Sequence, residues 1–189
     1  GVQTCALPIS QAVDACVSVS THALPPAMRA VADDIHVASL IGLGRIFEAG
    51  QHAAGALAVS AGSDPWAQAV AATASLRVLC ASGDLAHAAQ VLADIARLAK
   101  QAHTPLRIAW ARAVWAQALL RAHRQGDARG ELTRLTRVAA SAPPLMRHVV
   151  ERIATEAARD LGTTAVREGE PLAIDLIQRV HGKPDDRRA

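Results

Sequence analysis

From residue 25 onward the chain is cut by turn-forming residues at long, fairly regular intervals. They are Pro25-Pro26, Gly50, Gly62-Ser63-Asp64-Pro65, Ser82-Gly83-Asp84, His103-Thr104-Pro105, Gln125-Gly126-Asp127, Pro143-Pro144 and Gly162. The segments between them carry apolar residues three and four apart, which is the helical period. β-branched residues occur singly, and no period-2 run bounded by turns appears. Apolar residues make up 51% of the 189-residue chain while aromatics are 2%, with one Phe and no Tyr. Alanine fills the gap. It combines high helix propensity with little bulk, so the expected product is close-packed helices without a sheet.

The stripes can be followed helix by helix. Asp84 is placed to N-cap a helix whose apolar face is Leu85, Ala88, Leu92, Ile95 and Ala99. Pro105 suits the first position of the next helix, with Ile108, Ala111, Trp115, Ala118, Leu119 and Ala122 on its main face and Trp110 and Val114 on a second. Ala128, Leu132, Leu135 and Ala139 line a third, and Leu145, Val149, Ile153 and Ala157 a fourth. A last short helix follows from Pro171 through Leu172, Leu176 and Val180. The order of long helix, turn, helix and loop is that of an αα-hairpin array. Gly50, Gly83 and Gly126, 33 and 43 residues apart, are the expected turns inside the hairpins.

Charge is unevenly spread. Residues 1–95 hold three Arg and seven acids, net −4, whereas residues 96–189 hold 17 Lys and Arg against ten acids, net +7. A basic half suits an acidic partner. Many of its arginines, however, alternate with acids, as in Arg147, Glu151, Arg152 and Glu156, which favours a solvated face, although the run Arg121, Arg124, Arg129, Arg134 and Arg137 has only Asp127 and Glu131 to offset it. Cys16 and Cys80 stand far apart and outside any CxxC pattern, so two structural thiols and a cytoplasmic location are expected. No apolar run approaches the roughly 18 residues of a membrane span.

Leu43-Gly44-Arg45-Ile46-Phe47, followed by Ala56, resembles the tetratricopeptide signature of Leu-Gly, an aromatic three residues on and a facing small residue. Gly83-Asp84-Leu85 with Ala88 is similar to its turn, and Trp115 through Gly126-Asp127 to Pro143 has the aromatic, turn and terminal Pro in order. Leu76 and Leu119 stand where the family has Gly, and Glu131 where it has a small residue. The resemblance spans about Asp34 to Pro143 and is to the divergent repeats of bacterial regulators. It implies an all-α, right-handed solenoid of antiparallel helix pairs over residues 10–182, with a charged tail at 183–189. It also implies that Phe47 and Trp115 are the wedges between repeats.

Catalytic chemistry finds little support. Gly42-Leu43-Gly44 lacks the third Gly and the preceding strand of a dinucleotide fingerprint. Asp33, Asp34 and His36 point in different directions on a helix, so no metal is expected. Cys80 falls on an apolar face with Leu76 and Leu79. Neither a catalytic residue nor a cofactor is expected. The long helices around Gly126 do not suit a DNA-reading pair, and nucleic acid is not an expected partner.

Residues 1–9, GVQTCALPI, have no helical pattern and resemble a translated sequencing adapter. They are expected to be disordered and dispensable, with the rest a fragment of a larger bacterial signalling protein. The expected function is non-catalytic protein–protein interaction. The expected partner is an acidic protein or peptide, an upstream domain of the same chain, or a second copy. The alternative is a sensor or spacer region of a transcription regulator, kinase or cyclase with its effector domain upstream. Candidate contact residues are Arg45, Arg77, Trp110, Arg112, Arg121, Arg124 and Arg129.

Overall fold

The computed structural model describes residues 24–141 continuously, together with residues 11, 14, 147, 148, 151, 155 and 159. The adapter-like segment, the last predicted helix and the charged tail lie outside the described residues. Among the described residues there are six α-helices and no strand: α1 (Pro26–Gly42), α2 (Ile46–Ser60), α3 (Pro65–Ser82), α4 (Leu85–Gln101), α5 (Pro105–Arg121) and α6 (Gln125–Ser141). The chain divides into two compact units, residues 1–111 and 112–189.

The helices stop where the backbone turns left-handed. Gly44, Gly62, Gly83, His103 and His123 have positive φ, between 52° and 82°. At four of these, the next residue's amide donates back to a carbonyl five residues earlier: Arg45 to Leu40, Asp84 to Leu79, Thr104 to Ala99 and Arg124 to Leu119, at 2.8–3.0 Å. This is a Schellman closure, which satisfies carbonyls that the ended helix leaves open. The following helix begins at once. Asp64 and Asp84 cap α3 and α4 by accepting from the amides of Trp66, Ala67 and His87.

These closures correct the turns expected inside the hairpins. Gly83 is one, but Gly50 lies within α2 and Gly126 is the second residue of α6. The turns are at Gly44, Gly83 and His123, 39 and 40 residues apart. In this register, the residues five, nine and twelve positions later are all buried. They are Ala49, Ala53 and Ala56 on α2, Ala88, Leu92 and Ile95 on α4, and Ala128, Leu132 and Leu135 on α6. In this register Ala128, not Glu131, corresponds to Ala49 and Ala88. A second recurrence precedes the turns, where Ala30, Ala69 and Ala109, each 14 residues before one, are buried.

In the first unit α1 packs on α2 and α3, α2 on α3, and α3 on α4. Val37, Leu40, Ala49, Ala53 and Ala74 form a core, with Ile41, Leu43 and Val78 against it. Ala30, Ala67 and Val70 form another, covered in part by Trp66. The central helix α3 is buried on most sides, through Ala67, Ala69, Val70, Ala71, Ala72, Thr73, Ala74, Leu76 and Cys80. Small side chains there let neighbouring axes approach closely. In the second unit Trp115, Leu119, Leu120, Leu132 and Leu135 are buried.

Phe47 departs from its expected place and is 78% exposed. It is the second residue of α2, two positions before the buried Ala49, so it points about 200° around the helix from the buried stripe.

Two glycines give a backbone test. A Cβ at either Gly55 or Gly83 meets nothing within 4 Å. Gly55 is helical, so Gly55→Ala is expected to raise stability by about 0.5–1 kcal/mol. Gly83 has φ +82°, and Gly83→Ala is expected to lower it by about 1–2 kcal/mol. Urea midpoints moving in the same direction would contradict the two backbone assignments.

Candidate functional site

Asp34 lies on the buried side of α1, one turn from Ala30 and from Val37. A carboxylate on an apolar face requires a cationic partner, and here it has two. Arg77 Nε on α3 donates to Asp34 Oδ1 at 2.9 Å, and Arg107 Nη1 on α5 donates to Asp34 Oδ2 at 3.3 Å. One carboxylate thus joins α1, α3 and α5, through residues 43 and 73 positions away in sequence. The Asp34 side chain is 11% exposed, Arg107 15% and Arg77 24%. Burial pulls the Arg107 guanidinium below its ordinary range, Asp34 opposes this, and the Arg77 charge adds to it. Thr73 occupies on α3 the position of Asp34 on α1, ten residues before the turn, and donates to its own helix at Ala69 O, 2.8 Å away.

A second polar group lies where α1 meets α2. The His36 and His52 rings are 4.2 Å apart and tilted by 45°. Asp33, one turn before His36, is buried, with Arg29 Nε at 3.6 Å. Burial raises the Asp33 carboxyl against the charges of Arg29, His52 and His36. Burial also lowers His36, helped by His52 and Arg45 and opposed by Asp33 and Glu48. Among the described residues no group of three or more His, Cys, Asp or Glu is arranged to hold a metal ion.

This group gives the fold a pH dependence with a definite sign. Below the ordinary imidazole value of 6.5, the unfolded chain takes up a proton at His36 that the folded chain resists. Stability is therefore expected to fall as pH drops from 7 through 6.5 toward the lowered His36 value, by at most about 1.4 kcal/mol per pH unit. Asp33 acts oppositely, favouring the fold as it protonates at lower pH. Urea midpoints from pH 7 to 5 should decline more steeply for wild type than for His36→Gln. Coincident slopes would remove His36 as the source.

The other arginines singled out in the sequence are mostly held by acids. Arg45, in the turn before α2, donates from Nε to Glu48 Oε1 at 2.8 Å. Arg112 Nη1 meets Glu131 Oε2 at 2.6 Å, and the same carboxylate bonds Arg134. The Arg112 Nε is buried without a hydrogen-bond partner. Arg124 Nε meets Asp127 Oδ2 at 2.7 Å. Arg121 is exposed at the end of α5, and Arg129 is half-buried on α6. Arg112 is nine residues before Arg121 on α5, about 13 Å along the axis, so these two do not lie at the same end of the helix. Trp110 is 38% exposed, while Trp115 is buried.

Sequence reading missed the joining of Arg77 and Arg107 by Asp34, and the burial of Glu131. The available signal was a carboxylate in register with an apolar stripe. Among the described residues no helix is long and apolar enough to cross a membrane. No family model, no curated protein and no solved structure matches this chain.

Proposed function

We propose that the chain is a non-catalytic interaction scaffold, a right-handed solenoid of antiparallel, tetratricopeptide-like helix pairs that binds an acidic protein or peptide segment. The observation that carries this reading is the recurrence of turn and buried stripe every 39–40 residues. Each copy leaves one helix face to be covered by the next, which is how stacked repeats build an extended surface. The contact of α1 with both α2 and α3 fits such stacking, in which a first helix touches its own partner and the next first helix. The unit of about 40 residues is longer than the 34 of the tetratricopeptide family, with 15–18-residue helices taking up the difference.

The test is a set of binding isotherms for the full chain with acidic, neutral and basic peptides of equal length. Saturable one-to-one binding that weakens with salt supports the reading. Absence of saturable binding to any of them would overturn it.

A further inference from the structure

We propose that Arg77 and Arg107, held by Asp34, form a binding site for a carboxylate of an acidic peptide, with Trp110 as its apolar flank. The inference deepens the scaffold reading and rests on it. Two guanidiniums carry ten N–H donors between them, and Asp34 takes one from each. The cluster holds one more positive than negative charge, and Asp34 is its least exposed member. Its solvent side is therefore cationic. None of the remaining Arg77 or Arg107 nitrogens is both buried and without a partner.

Asp34 also fixes the guanidiniums before any ligand arrives. An arginine that is already oriented loses less freedom on binding a carboxylate. A second anion on the open edges would offset the repulsion between two partly desolvated cations. Trp110 lies one turn beyond Arg107 on the same side of α5 and is 38% exposed. It offers apolar surface beside the charge, the pairing of Trp with Arg that dominates many interfaces. The other doubly held carboxylate, Glu131, lacks this form. Its Arg134 is 58% exposed and lies three residues away on the same helix, an arrangement that contributes little.

The experiment titrates the full chain with a tetraglutamate peptide and follows arginine side-chain N–H signals by NMR. The expected result is that Arg77 and Arg107 signals move in step with the isotherm. Loss of one charge-assisted bond in Arg77→Gln or Arg107→Gln should weaken binding by about tenfold or more. Arg97→Gln, which removes an exposed cation paired with Asp94, should leave it within about twofold. If a variant does not fold, the wild-type signals decide alone. Binding with unmoved Arg77 and Arg107 signals overturns the site and leaves the scaffold. Saturable binding only of neutral or basic peptides does the same for the site. Failure of every peptide removes the scaffold reading as well.

Discussion

Trp115→Ala is expected to destabilise the protein by about 3–5 kcal/mol, while Phe47→Ala changes stability by no more than about 0.5 kcal/mol. Both are aromatic residues in an aromatic-poor chain, and both stand in stretches that resemble a tetratricopeptide wedge. Their surroundings differ. Trp115 is 7% exposed, in the same unit as the buried Leu119, Leu132 and Leu135. Removing a buried indole incurs both the lost transfer free energy and the cost of the cavity left behind. Phe47 already faces water, and its truncation removes no core contact. Urea midpoints of the two variants, converted with the measured slope, provide the comparison. A Trp115→Ala loss below about 1 kcal/mol would mean that α5 does not bury this face.

The contrast shows what the sequence made legible. Stripes at three and four residues located α4 and α5 well, and Asp84 and Pro105 marked their starts. Hairpin register was harder, because a search for Gly finds left-handed positions only when Gly fills them. His103 and His123 adopt the same conformation with φ of 52° and 57°. His is among the non-glycine residues that tolerate it. Gly126, three residues past His123, therefore placed the third expected turn three residues too late. Leu43-Gly44 follows the end of α1 while Phe47 belongs to α2, so the two parts of the resemblance fall on either side of a turn. The Asp34 cluster was legible only in part. A buried-side carboxylate demands a cation, but which arginine meets it depends on how the helices stack.

Asp34→Asn is expected to lower stability by about 2–3 kcal/mol, at the low end of or below the cost of breaking a fully buried pair because both arginines retain some solvent. Asparagine keeps the shape of the side chain but changes its chemistry at two points. It loses the charge that balances Arg77 and Arg107. It also replaces one acceptor oxygen with an N–H₂ donor, so one guanidinium now faces a donor where it had bonded Oδ1 or Oδ2. The remaining cations repel each other, and the water that reaches them screens this only in part. Relieving one of them should return part of the loss, so Arg107→Leu is expected to be less costly in the Asp34→Asn background than in wild type. A double-mutant cycle measures this coupling directly. The exposed Arg45–Glu48 pair is the reference, since both side chains are near 45% exposed and such pairs contribute little to stability. If the Asp34–Arg107 coupling is no larger than that of Arg45–Glu48, the carboxylate is a surface group. It would then neither bind α1, α3 and α5 together nor hold two arginines in place for a ligand.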